Sequence, residues 1–116
     1  MGKAASALRS QERALAKATS FVKRARAKAA SLGLSLAGAY LVGSRARGDY
    51  LADSDVDLVL VLRGVKGLDP IERLRIFVDL LEPGVELRVY DVEEWEGEDG
   101  AWMKLLRGEA VRLDAF

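Results

Sequence analysis

The sequence predicts a small α/β domain of the α+β type: one mixed β-sheet with helices packed on one face. Three observations carry this. Residues 4–32 are rich in Ala, Lys and Arg, contain neither Pro nor Gly, and repeat apolar positions at helical spacing. A short apolar run, 35–42, is bounded by Gly33 and Gly43. A strand–helix–strand pattern then spans 55–92 with short connections, which suits a parallel pair with a right-handed crossover.

The first helix shows Leu8, Leu15, Ala18, Val22, Ala25, Ala29 and Leu32 as its apolar stripe, and Gly33 is a natural stop. Ser35–Val42 (SLAGAYLV) is the first strand. Gly43-Ser44 makes a turn, and Arg45 to Arg47 suit one helical turn ended by Gly48. The second strand runs from Asp55 to about Leu62. It is apolar on both faces beyond its carboxylates, as a central strand should be. Asp69 and Pro70 open a helix through Leu81, with Asp as cap and Pro at the first position. Pro83-Gly84 ends it, and Val85–Val92 is the third strand. Glu93 to Asp99 suits an acidic helical start, 101–107 a helix, and 109–113 a short closing strand. Tyr90, Trp95 and Trp102 are expected to pack. The 116 residues then form one domain: an N-terminal helix (1–33), a core (36–92) and a C-terminal helix with a short strand (93–116).

Composition excludes much chemistry. Half the chain is hydrophobic, and Cys and His are both absent. Disulfides, thiolate metal sites and Ser-His or Cys-His nucleophile systems are therefore ruled out. Carboxylates, hydroxyls, basic side chains and hard metals remain. No apolar run reaches membrane-spanning length and no signal-peptide core is evident, so a soluble, cytoplasmic protein without a membrane partner is expected. The net charge of zero hides a split. Residues 1–32 hold eight basic residues and one acidic, and the remainder ten basic and seventeen acidic. A basic helix can serve an anionic partner such as nucleic acid, but a solvated helix face is the favoured reading.

The chemistry concentrates in Gly43 to Leu62, GSRARGDYLADSDVDLVLVL. A turn at a helix start offers backbone N–H groups to phosphate oxygens. Asp55 and Asp57, at i and i+2 on a strand, point to one face. Hard divalent cations bind through such carboxylates together with substrate phosphates. Glu86 begins the neighbouring strand, roughly 4.8 Å away, and can join them. Asp91 falls on the opposite face. If the first strand is antiparallel to the second, the Gly-Ser turn meets the carboxylates at one end of the sheet. Arg45 or Arg47 could add a cationic contact to a triphosphate.

The spacing Gly43-Ser44, ten residues, Asp55-Val56-Asp57 resembles the mark of polymerase-beta-like nucleotidyltransferases. The longer GSRARG with SDVDLVLVL is similar to the minimal, stand-alone members of that superfamily. The resemblance covers about residues 36–92 and, more loosely, the whole chain. It implies a polymerase-beta-like nucleotidyltransferase fold. Gly43 and Ser44 would bind the β- and γ-phosphates, and Asp55 and Asp57 would hold Mg²⁺, with two ions expected. Glu86 would be the third carboxylate, ligating metal and polarising the attacking hydroxyl, where relatives usually carry Asp. It also implies ATP as substrate and an acceptor platform from a second copy or a separate helical HEPN-type protein. The expected activity is AMP transfer to a tyrosine of that partner, as an antitoxin. The alternatives are a catalytically impaired module that neutralises a partner by occlusion, or a nucleotidyltransferase for a small molecule or RNA end.

Overall fold

The computed structural model describes residues 2–97 and 100–114. In chain order they form α1 (Gly2–Ser31), β1 (Ser35–Val42), α2 (Ser44–Arg47), β2 (Val56–Arg63), α3 (Pro70–Ile76), a 3₁₀ turn (Val78–Leu80), β3 (Val85–Asp91), α4 (Val92–Gly97), α5 (Ala101–Glu109) and β4 (Val111–Arg112). The sheet order is β3-β2-β1-β4. β1 is antiparallel to both β2 and β4, and β2 is parallel to β3, so the sheet is mixed, as expected.

Alternation along β2 divides the core in two. Leu58, Leu60 and Leu62 face α1 and α3, with Ala18, Phe21, Val22, Ala25, Ala29 and Phe77 packed over them. Fully burying side chains the size of Phe21 and Phe77 stabilises by roughly 1.5–3 kcal/mol each, which fixes α1 and the end of α3 to this face. Val59 and Val61 face the other way, under Trp95, Met103 and Leu106 of α4 and α5. The two main helices share one face, and the two short C-terminal helices cover part of the second.

The contact line of α1 differs from the expected stripe. Ala18, Val22, Ala25 and Ala29 are buried, but Leu8 and Leu32 are exposed and Leu15 lies at the margin. Ser10, Ala14 and Phe21 complete the line instead. Small side chains let the helix approach the sheet closely, and the longer leucines are left on its flanks. The basic face of α1 is answered within the fold: Arg24 pairs with Glu82, Lys28 with Asp79, and Arg26 with Asp114. These largely exposed pairs add little stability, but they account for part of the charge split.

α3 starts as expected. Asp69 accepts the Glu72 N–H while the Glu72 carboxylate accepts the Asp69 N–H, and Pro70 occupies the first turn. The helix ends earlier than its apolar spacing implied, at Ile76, and the 3₁₀ turn continues it. The expected acidic helix at 93–99 is present over Val92–Gly97; Glu98 and Asp99 lie outside the described residues. No described helix is long and apolar enough to cross a membrane.

Candidate active site

Register places the site. Asp57 on β2 is the partner of Val42 on β1 and of Glu86 on β3. Paired residues share a face, so Asp57 and Glu86 stand side by side on the α5 face, one residue from the Gly43 turn. Gly43 has φ 75° and ψ −158°, a combination essentially reserved for glycine. A Cβ on Gly43 would fall 2.2 Å from Asp57 Oδ2. The turn and the carboxylate are thus in direct contact, and only the missing side chain makes room. After the turn, Ala46 and Arg47 N–H donate to the Gly43 carbonyl, at 3.1 and 3.0 Å. In this helical turn the N–H groups of Ser44 and Arg45 have no intrahelical acceptor, the condition that suits phosphate oxygens.

The carboxylates are electrostatically crowded. Partial burial, a hydrogen bond with Glu86, and the charges of Glu86 and Asp55 push the Asp57 pKa up to about 6, while the Arg88 guanidinium works against them. Such a group sits uneasily as an anion and gains from a cation brought beside it. The donor set is all oxygen, which fits a hard divalent ion.

Asp55 departs from the expected geometry. The β2 ladder begins at Val56, so strand alternation does not govern Asp55, which is exposed. Among the described residues no three acidic side chains gather closely enough to hold an ion. The expected metal set Asp55, Asp57 and Glu86 is therefore present as a contacting pair with Asp55 as a neighbour, close enough to raise the Asp57 pKa.

Arg45, expected to reach the triphosphate, is buried instead. Its guanidinium donates to Ser54 O at 3.0 Å, Gln11 Oε1 at 2.9 Å and Ser10 Oγ at 2.9 Å. It ties α1 to the loop between the Gly-Ser turn and Asp55. Hydrogen bonds from a charged group contribute more than neutral ones, so Arg45→Ala should lower the unfolding free energy by about 2–3 kcal/mol. Urea denaturation checks this, and an unchanged midpoint would exclude the bracing role. Arg47 is exposed and engaged with Glu109 at 2.8 Å and Asp49 at 3.3 Å. Asp91 is buried below the far end of β3, where it accepts the Val65 and Glu93 N–H groups; it is structural, as its face implied.

Glu109 was not visible as a site residue. Its carboxylate accepts the Gly43 N–H at 3.0 Å and the Arg47 guanidinium at 2.8 Å, and those partners hold its pKa below the usual range against burial. It lies 66 positions from Gly43 in the chain, and only the return of α5 over the sheet brings it there. A glutamate at the end of an ordinary helix gives no local signal of this.

A cleft of about 560 Å³ follows the outer edge of β3 from Leu87 to Tyr90 and touches neither Gly43 nor Asp57. Depth is therefore a poor guide here. The carboxylate pair and turn form an open site, suited to a charged, solvated group.

A glycine-serine turn held against a carboxylate pair, on a mixed sheet of this topology, defines a domain for nucleotidyl transfer. Residues 22–102 match the family described as nucleotidyltransferase domain, and the chain belongs to it. It is also similar to a crystal structure, at 1.40 Å resolution, of what is called a "putative nucleotidyltransferase" from Sulfolobus solfataricus: 32% identity, TM-score 0.75, covering 97% of this chain and 89% of that one. No curated protein sequence matches the chain.

Proposed function

We propose that this nucleotidyltransferase domain moves AMP from ATP to a hydroxyl, with a tyrosine of a separate helical HEPN-type protein as the acceptor, and so acts as an antitoxin. One observation carries the donor side: the Asp57 carboxylate lies directly against the Gly43 turn and in register with Glu86. A triphosphate on the turn would therefore meet the carboxylates that must manage its charge. The acceptor side rests on the resemblance to minimal nucleotidyltransferases. Among the described residues there is one sheet and no second lobe to seat an acceptor.

In this reading Gly43 and Ser44 hold the β- and γ-phosphates. Glu86, exposed beside Asp57, takes the proton of the attacking hydroxyl. The hydroxyl oxygen forms a bond to the α-phosphorus as the bond to pyrophosphate breaks, and pyrophosphate leaves with the electron pair. Asp57 and Glu86, with Asp55 as their neighbour, would hold Mg²⁺, which would supply charge neutralisation of the triphosphate and of the leaving group. Transfer of this kind is mainly positioning and charge compensation, so the absence of His is no obstacle.

The test is incubation with α-labelled ATP, Mg²⁺ and the product of the neighbouring gene. Label on a tyrosine of that product is the expected result. ATP binding without any label transfer would refute the enzymatic reading. It would favour a second one, in which Glu86, where the resemblance implies Asp, does not support transfer and the domain neutralises its partner by occlusion. In that case Asp55→Asn with Asp57→Asn leaves neutralisation intact.

A further inference from the structure

Among the described residues, the α5 face of the sheet carries one large aromatic side chain that the packing does not use. Trp95 is buried against Tyr40 and Tyr90, with ring centroids 5.1 and 5.9 Å apart. Trp102, expected to pack as well, is 54% exposed. Its ring is covered by the Arg88 guanidinium, centred 5.3 Å away. An exposed indole stiffened by a cation is costly to leave in water and well suited to stacking on a further planar ring.

Its position gives that ring an identity. Arg88 follows Glu86 by two residues on β3, so it shares the face of the carboxylate pair at about 6.6 Å along the strand. The Arg88 charge is felt at Asp57, where it opposes the upward pKa shift. Along α5, Trp102 and Glu109 are two helical turns apart, about 10.5 Å, on the same side of the helix. Glu109 touches Gly43. The glycine turn is thus tied to one end of α5 through Glu109, the carboxylate pair lies on the same face of the sheet, and the Arg88–Trp102 stack stands at the other end of α5. Leu105, exposed one turn along α5 from Trp102, adds an apolar rim.

We propose that the Arg88–Trp102 stack is the platform for the nucleobase of the bound nucleoside triphosphate. The inference rests on the nucleotide-transfer reading above and extends it to the base. The rise of about 10.5 Å along α5 from Glu109, which holds the turn, to Trp102 suits the reach of a nucleotide whose triphosphate sits at Gly43-Ser44. Stacking supplies affinity through the face of the base and reads little of its edge. ATP and GTP should therefore bind with affinities within about threefold of each other.

The experiment titrates Mg-ATP and Mg-tripolyphosphate into the full chain by calorimetry, for the wild type, Trp102→Ala and Trp102→Phe. Tripolyphosphate reports the turn and carboxylates alone. Trp102→Ala should weaken ATP by about tenfold and leave tripolyphosphate unchanged, and Trp102→Phe should restore ATP to within about threefold of the wild type. ATP binding unaltered in Trp102→Ala, with tripolyphosphate binding normal, overturns the platform. Equal losses for both ligands overturn it too, since Trp102 would then act on the turn rather than on the base. If the wild type binds neither ligand, the nucleotide-transfer reading fails and takes the platform with it.

Discussion

Asp57→Asn is expected to stabilise the protein and disable it at once. The Asp57 pKa stands at about 6, above its ordinary value of 3.8, because burial and the Glu86 and Asp55 charges disfavour its anion. Well below pH 3.8 the carboxyl is protonated in folded and unfolded chains alike and the shift has no consequence. As pH rises from about 4 to 6 the unfolded chain ionises first, and the fold loses stability; above about 6 the cost is constant. The neutral amide removes it. Asp57 is only half-buried, so solvent screening reduces the gain to about 1 kcal/mol. The variant should therefore melt higher than the wild type at pH 7.5 and no higher at pH 3. Mg²⁺ should raise the melting temperature of the wild type alone. Transfer should fall by more than about a hundredfold, since even residues that merely support a metal ligand are worth 10–100-fold. Loss of activity with lower stability at pH 7.5 would point to ordinary structural damage and reject the strained-carboxylate account.

Periodic and local features of this fold are legible in its sequence, and features that depend on long-range return of the chain are not. Asp57, Glu86 and Gly43 were legible because strand alternation and parallel pairing are periodic: once β1, β2 and β3 are identified, the register follows. The capped start of α3 was legible because Asp69, Pro70 and Glu72 are local signals. What escaped depends on long-range return of the chain. Glu109 joins the turn only because α5 folds back across the sheet. Arg45 sits in a sequence that suggests a phosphate contact, and its burial depends on Ser10 and Gln11 of α1, over thirty residues away. Asp55 fits the strand pattern, but the ladder starts one residue later. Spacing places Leu8, Leu15 and Leu32 on the α1 stripe together with Ala18, Val22, Ala25 and Ala29, but spacing alone does not show that close approach to the sheet keeps the small members and leaves the leucines outside. Trp102 was expected to pack because tryptophan usually does, and composition cannot say which of two tryptophans the core will take.

Gly43→Ala should be the most damaging single-methyl change in the chain, and Gly48→Ala is its control. Both glycines have positive φ, 75° and 93°, so both variants carry backbone strain. They differ in what the methyl meets. At Gly48 a Cβ finds nothing within 4 Å, and the conformation is the ordinary left-handed one with ψ 2°. That change should cost about 1–2 kcal/mol and leave Mg-ATP affinity within about threefold of the wild type. At Gly43 the ψ of −158° closes the region to side chains, and the Cβ would sit 2.2 Å from Asp57 Oδ2 and 3.1 Å from its Cγ. Either the turn opens or the carboxylate swings away from Glu86, and each separates the N–H groups of the turn from the carboxylates. The expected cost is about 2–4 kcal/mol in urea denaturation, from strain and collision together. Mg-ATP affinity should drop by at least about a hundredfold, because a misplacement of about 1 Å costs this much where positioning is the source of rate and binding. Equal ATP affinities for the two variants would mean that the contact between turn and carboxylate is incidental. A large loss confined to Gly43→Ala would show that nucleotide binding depends on a gap one methyl group wide.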